Sequence, residues 1–363
     1  MAGIAAAAVG NVGVRKGLRL ALPQIVIVLL GVAVVLAAGV SLTAGASNAS
    51  ALAVAAHWLG LAAPDAISAR DLLIVESIRL PRVVMGLLVG AALAVSGAVM
   101  QGIFRNPLAD PGLAGVSAGA GLGASAMIVL GGSLALPMAG VVSYAALPAA
   151  AFLGGLATTV ILYVLSTRLG RTSIATMLLA GIALGALAGA ATGLLVYVAD
   201  DKQLRDLTFW SMGSLGGATW PRIATLGVVL AVSFAVLPFL ARGLNALALG
   251  EAAAWHMGIS VERLKRSAIV IVAAMTGVSV AVSGSIGFVG IVVPHVLRLA
   301  IGPDHRFLLP ASALLGGALL VLADAVARTV AAPAELPIGI VTALAGAPFF
   351  LWLMLRRRSI LDM

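Results

Sequence analysis

The sequence contains no cysteine, which excludes disulfides and thiolate metal sites. Charge is nearly as scarce. Asp, Glu, Lys and Arg make up 10% of the 363 residues, against 62% hydrophobic, and a soluble domain of this length needs far more charge to cover its surface. A phosphate-binding loop is also missing. The lysines are Lys16, Lys202 and Lys265, and none completes G-x-x-x-x-G-K-[ST], so the chain is not expected to hydrolyse ATP on its own. The histidines His57, His256, His295 and His305 have no metal-ligand spacing among themselves, so no metal site is expected. His295, beside Pro294, is the best candidate of the four, and its plainer role is a hydrogen bond to carbonyls freed by the proline. No signal peptide is expected, because the first apolar stretch is too long for an h-region and lacks a clear cleavage site.

Long apolar runs are abundant. Mean hydropathy is +1.16, and about 20 apolar residues span a bilayer. Runs fall at about Leu20–Thr43, Pro81–Phe104, Gly112–Leu130, Tyr144–Thr167, Ile174–Val198, Ala218–Leu240, Ser267–Gly302, Leu308–Val330 and Ile338–Leu355. The 36 residues of Ser267–Gly302 would make a helix roughly 54 Å long, too long for a ~30 Å core. That run must fold back, near Ser283–Gly284 or around Pro294. The expectation is an all-α polytopic membrane protein: about ten transmembrane helices in one domain over residues 1–363, with a polar stretch from Ala241 to Arg266.

Net charge is +9, but the basic residues cluster at run ends, which points to membrane orientation and not to nucleic acid. Arg15, Lys16 and Arg19 precede the first run; Arg356, Arg357 and Arg358 follow the last. Arg105, Arg168, Arg171, Arg242, Arg263, Lys265, Arg266 and Arg306 fall in loops of the same side. Asp65, Asp71, Glu76, Asp200, Asp201, Asp206 and Glu335 mark the other. Positive residues mark the cytoplasm, so both termini are expected there. Arg79, Arg82 and Arg328 break the pattern at outer run ends, and Lys202 and Arg205 lie outside among acids. Asp324 is the one acid within a run; Arg328, four residues on, can pair with it, and a structural ion pair is favoured over a proton relay.

Two glycine ladders share a spacing of four: Gly115, Gly119, Gly123, and Gly181, Gly185, Gly189, Gly193. Such residues share a helix face, either for tight packing or as a smooth pore wall, and both roles can hold together. A faint repeat also shows. Gly90, Ala94-Val95-Ser96-Gly97 and Pro107 recur 187 residues later as Gly277, Ala281-Val282-Ser283-Gly284 and Pro294, as in an inverted repeat of spans 2–5 and 7–10. Ala246 to Ile259, with Gly250 and Gly258 as brackets, is short, partly apolar and helix-prone. It is either a surface loop helix or a docking helix for a partner.

The segments Ile78-Arg79-Leu80-Pro81-Arg82, Gly90 to Gly97, Gln101-Gly102-Ile103-Phe104-Arg105-Asn106-Pro107-Leu108-Ala109-Asp110-Pro111, Val293-Pro294-His295, Gly302-Pro303-Asp304-His305-Arg306 and Glu335-Leu336-Pro337-Ile338-Gly339 resemble the FecCD-type permeases. These are the membrane subunits of ATP-binding cassette (ABC) importers for ferric siderophores, haem and vitamin B12. The likeness runs from about Arg79 to Leu355. It implies a homodimer in a bacterial inner membrane, with two cytoplasmic ATPase subunits that carry ATP and Mg and a periplasmic substrate-binding protein on the outer face. It also implies docking of that protein at Arg79, Arg82 and Arg328. ATPase coupling would run through Leu249, Gly250, Glu251, Ala252, Met257, Gly258 and Ile259, and a pore wall along Gly181, Gly185, Gly189 and Gly193. The general importer motif is only approximate, since Gly258 follows Glu251-Ala252-Ala253 one residue late. Among cargoes haem is slightly preferred for the strongly apolar helices, followed by a ferric siderophore, with cobalamin as an alternative. An ion-coupled carrier is disfavoured by the scarcity of intramembrane acids, and a passive channel by the lack of a filter motif.

Overall fold

The structure, a computed structural model, describes residues 2–45, 49–61, 68–132, 141–168 and 171–361. Asp65 lies outside the described residues, as do the side chains of Arg15, Lys16, Arg19, Arg356, Arg357 and Arg358. Apolar helices make the molecule. They are α1 (Ala2–Thr43), α4 (Leu80–Phe104), α5 (Val116–Leu130), α6 (Val141–Ser166), α7 (Ile174–Val198), α9 (Trp220–Ala248), α11 (Val261–Ser283), α12 (Val289–Ile301), α13 (His305–Val330) and α14 (Ile338–Leu361). Among the described residues seven are long and apolar enough to cross a membrane, and three shorter apolar helices join them. They follow the order of the ten expected spans. Between them lie α2 (Ala51–Trp58), α3 (Ala69–Ile74), α8 (Asp201–Ser211) and α10 (Glu251–His256).

Caps fix many of the helix starts. Ser50, Ser68, Ser173 and Asp304 each accept a backbone N–H of the turn they open. Asp200 and Gln203 form a reciprocal capping box on α8, satisfying orphan donors at the helix start. Helix α4 is the hub, packed against α13, α9, α11 and α12. Its glycines allow backbone-to-backbone approach. A Cβ on Gly90 would overlap the carbonyl of Gly316 in α13, and one on Gly97 that of Gly290 in α12. Such small-residue contacts are the usual adhesive between helices in lipid, where no hydrophobic drive acts between them.

The structure differs from the sequence reading in several places. The stretch Ala241–Arg266 is not a polar loop. Helix α9 continues to Ala248 and α11 starts at Val261. Leu240, Ala241, Leu244 and Leu247 bury one side of α9, and Leu264, Lys265 and Ala268 one side of α11, while Arg242, Arg263 and Arg266 stay exposed. Charge on one face hid an amphipathic continuation. Helix α4 is likewise preceded without a break by α3 and a five-residue π turn, Val75–Arg79. The long run near residue 284 breaks at the first of the two expected places, where Gly284 closes α11 at φ 71° and Phe288 opens α12 at φ 68°.

The repeat survives in element lengths and not in register. Helices α4, α5, α6 and α7 have 25, 15, 26 and 25 residues; α11, α12, α13 and α14 have 23, 13, 26 and 24. Yet Ala94–Gly97 lies inside α4, whereas Ala281–Gly284 ends α11. The two short helices, at 1.5 Å per residue, cover only roughly 20 Å each, so each leaves irregular backbone beside it within the bundle.

Candidate functional site

Three regions carry the residues singled out from the sequence. The first is the amino end of α4. Arg79, Arg82 and Arg328, expected to face a partner, are 3%, 6% and 6% exposed and engaged within the chain. Arg79 donates to the carbonyls of Leu42 (2.7 Å) and Ala49 (3.2 Å). Arg328 donates to the Ser41 carbonyl (3.0 Å), the Ser41 hydroxyl (2.7 Å) and the Ala44 carbonyl (3.0 Å). Two guanidiniums thus occupy the carboxyl end of α1, where carbonyls lack intrahelical donors and the helix dipole favours a cation. Arg82 holds Asp324 on α13 (2.9 Å) and Glu335 in the loop before α14 (2.9 Å), and Asp324 also meets Arg328 (3.0 Å). The expected Asp324–Arg328 pair is therefore present, inside a larger cluster that ties α1, α4, α13 and that loop together. The π turn was not legible in the sequence, and it sets the faces on which Arg79 and Arg82 project.

The second region is α7. Helix α5 packs its ladder on α6, where a Cβ on Gly119 would overlap Thr158 and the Gly154 carbonyl. Of the α7 ladder only Gly181 is buried; Gly185, Gly189 and Gly193 have open space where a side chain would stand. Gly185 and Gly189, with Thr192, Ser125 of α5 and Thr208 and Trp210 of α8, line a cleft of about 360 Å³. Its wall mixes glycines and hydroxyl side chains with Val196, Leu207 and Trp210, and carries no charged side chain. Leu179, Ile182, Leu187 and Leu194 are exposed elsewhere around α7, so this helix is apolar and uncovered over most of its surface.

The third region is α10 at the opposite end of the bundle, close to Arg105, where α4 ends. Gly250 (φ 113°) and Gly258 (φ 79°) turn the chain into and out of it, conformations that a Cβ disfavours. Both glycines bracket the helix as the sequence suggested. Leu249 and Trp255 are 72% and 69% exposed. Met257 and Ala252 are also exposed, Ile259 is half-buried, and Ala254 anchors the helix by facing inward. Glu251 does not project freely; it pairs with Lys265 at 2.9 Å.

Among the described residues no three of His, Asp and Glu converge as a metal site. His295 is buried within α12. His305 is buried too, and its Nδ1 lies 2.8 Å from Asn245 Oδ1. Asn245 in turn donates to Asp304 at 2.6 Å, joining the end of α9 to the start of α13. The side-chain hydrogen bond from Arg306 leads the forces that hold the Asp304 carboxyl down at about 2. Sequence reading missed this junction: Asp304 and His305 stood in a segment that carries the family resemblance, but their partner Asn245 is distant in the chain and stands in no motif.

The profile of the FecCD transport family matches residues 27–356. The hemin transport system permease protein HmuU of Yersinia pestis is 49% identical over 283 residues, 78% of this chain and 83% of that one. The cobalamin import system permease protein BtuC of Halobacterium salinarum is 47% identical over 281 residues, 77% of this chain and 73% of that one. A solved metal-chelate type ABC transporter in an inward-facing conformation superimposes with a TM-score of 0.77 at 32% identity, covering 92% of this chain and 99% of that one. With a family match over most of its length and helices in the expected order, the chain is a multi-pass membrane protein that belongs to the FecCD transport family.

Proposed function

We propose that the chain is the permease subunit of an ABC importer that moves haem from a periplasmic binding protein into the cytoplasm. The observation that carries this reading is α10, a short helix that exposes Leu249, Trp255 and Met257 between two glycine turns. Exposed apolar side chains of that size on a surface helix mark a place where a partner docks. In this reading the partner is an ATPase subunit, which binds and hydrolyses ATP with Mg²⁺, while this chain contributes the path. Two copies form a homodimer in the bacterial inner membrane with both termini cytoplasmic, and the uncovered α7 of each faces the shared axis through Gly185, Gly189 and Gly193. The binding protein docks at the end bearing Arg79, Arg82 and Arg328. Because those guanidiniums are buried, they hold the docking rim in shape, and its exposed groups make the contact.

Haem is favoured by the 49% identity to a hemin permease and by the uncharged wall of the α7 cleft, which suits a large apolar cargo. Cobalamin is the second reading, favoured by relatives at 47% and 45% identity. The deciding experiment reconstitutes the chain in liposomes with its ATPase and binding protein, and offers haem, a ferric siderophore and cobalamin in turn. ATP-dependent accumulation of haem alone is the expected result. Accumulation of cobalamin instead overturns the cargo, and failure of any ATPase to associate overturns the importer assignment.

A further inference from the structure

Lys265 is 2% exposed, yet it stands in the third region, where charged side chains mostly reach solvent. Its ammonium has three N–H donors and three partners. It lies 2.9 Å from Glu251, the first residue of α10, and 3.4 Å from Glu262, one turn back on α11. It also donates to the Thr172 carbonyl at 3.1 Å. Thr172 belongs to a hairpin of two short strands, β1 (Thr167–Arg168) and β2 (Arg171–Thr172). The hairpin joins α6 to α7, and the next residue, Ser173, caps α7. The other backbone group of Thr172 is held as well, its N–H donating to Glu262 at 2.8 Å. Side chains of α11 therefore grip both the N–H and the C=O of the residue that leads into α7.

We infer that Lys265 is the positioning residue that transmits displacement of α10 to α7. This inference rests on the reading of α10 as the ATPase contact. The positive-φ glycines at both ends of α10 leave the helix joined to its neighbours by permissive turns. Its inward ties are the buried Ala254 and the Glu251–Lys265 pair. A buried ammonium with all three donors engaged cannot exchange a lost partner for water, and leaving it unpaired is costly. A shift of Glu251 is therefore met by movement of Lys265, and that movement reaches the backbone of Thr172 and the first turn of α7. The same helix carries the open glycine face, so a displacement at the α10 end reaches the wall of the cleft through one side chain.

The test compares the whole importer in liposomes with wild-type chain, Lys265→Met, Glu251→Ala and the double variant. Two quantities are read, ATP hydrolysis and uptake of whichever of haem or cobalamin the wild type accumulates. Lys265→Met is expected to leave hydrolysis within about twofold while uptake per ATP falls about 5- to 20-fold, the size of ordinary coupling between sites. Glu251→Ala, at a half-exposed site, removes the acceptor, leaves the grip of Lys265 and Glu262 on Thr172 in place, and is expected to lower uptake per ATP by a similar factor. The double variant falls no further than the worse single, because both changes cut one connection. Unchanged uptake per ATP in Glu251→Ala overturns the inference even if Lys265→Met fails to fold. Multiplying losses in the double variant overturn it too. A wild-type chain that recruits no ATPase is a separate result, and it removes the importer reading instead.

Discussion

Helices α5 and α7 carry glycines at the same spacing of four and put them to opposite uses. On α5, Gly119 and Gly123 sit against Gly154 and Ala150 of α6, and the approach is reciprocal: a Cβ on Gly154 would overlap the Gly119 carbonyl. Of the α7 ladder, Gly181 alone is buried, and nothing fills the space over Gly185, Gly189 and Gly193. A four-residue spacing guarantees a shared face. It does not say whether the missing side chains make room for a neighbouring backbone or leave a surface bare. The filled face costs little, since the lost side chains are replaced by helix contact. The bare face gains no packing from its glycines, so its smoothness has to be explained by something outside the single chain, such as cargo or a second copy.

The largest effect should come from filling the packed face. Gly119→Leu drives a side chain into Thr158 and the Gly154 backbone, and overpacking of that kind costs about 3 kcal/mol or more. The variant should lose its monodisperse peak on size-exclusion chromatography after mild heating; an unchanged peak would break the contrast between the ladders. Of comparable size is a polar control at the far end. Asp324→Ala leaves Arg82 and Arg328 buried without their shared carboxylate, a loss of about 3–5 kcal/mol. The expected signature is a drop in thermal midpoint, with Asp324→Asn also failing to restore it, because an amide cannot balance two cations.

Gly189→Leu addresses the open face. The thermal midpoint should stay within about 1 °C, under a 1 kcal/mol change for a chain of this size. Uptake should fall at least about tenfold, equivalent to ~1.4 kcal/mol of added barrier. If stability drops and uptake per folded molecule does not, α7 is a packing helix and the pore-wall reading is lost. Gly193→Ala is the mildest test. With open space at the Cβ position, removing a helix-interior glycine should raise stability by up to ~1 kcal/mol and leave uptake unchanged. A destabilised Gly193→Ala chain would mean that a neighbour covers this end of α7 after all.

Much of the architecture was readable because membrane helices announce themselves by composition: about 20 apolar residues are required whatever their neighbours. That is why the order of spans, the need for a fold-back between residues 267 and 302, and the bracketing of α10 by Gly250 and Gly258 could be stated from residues alone. The α9 and α11 extensions were missed for the converse reason. Arg242, Arg263 and Arg266 interrupt an apolar run without interrupting an amphipathic helix.

The site was legible in location and only partly in use. Arg79, Arg82 and Arg328 stood out because they broke the charge pattern, but their burial depends on the carbonyls at the end of α1 and the carboxylates of Asp324 and Glu335. Lys265 looked like one more cytoplasmic charge, and its burial beside Glu251, Glu262 and Thr172 has no local signature. By itself the sequence determined that this chain is helical, spans a membrane several times and resembles a permease, because backbone satisfaction in lipid and a set of contiguous motifs are local properties. Only the tertiary structure decided which glycines touch a neighbour and which cations are spent inside the chain. Those outcomes depend on the distance between residues far apart in sequence, and no spacing along one helix encodes it.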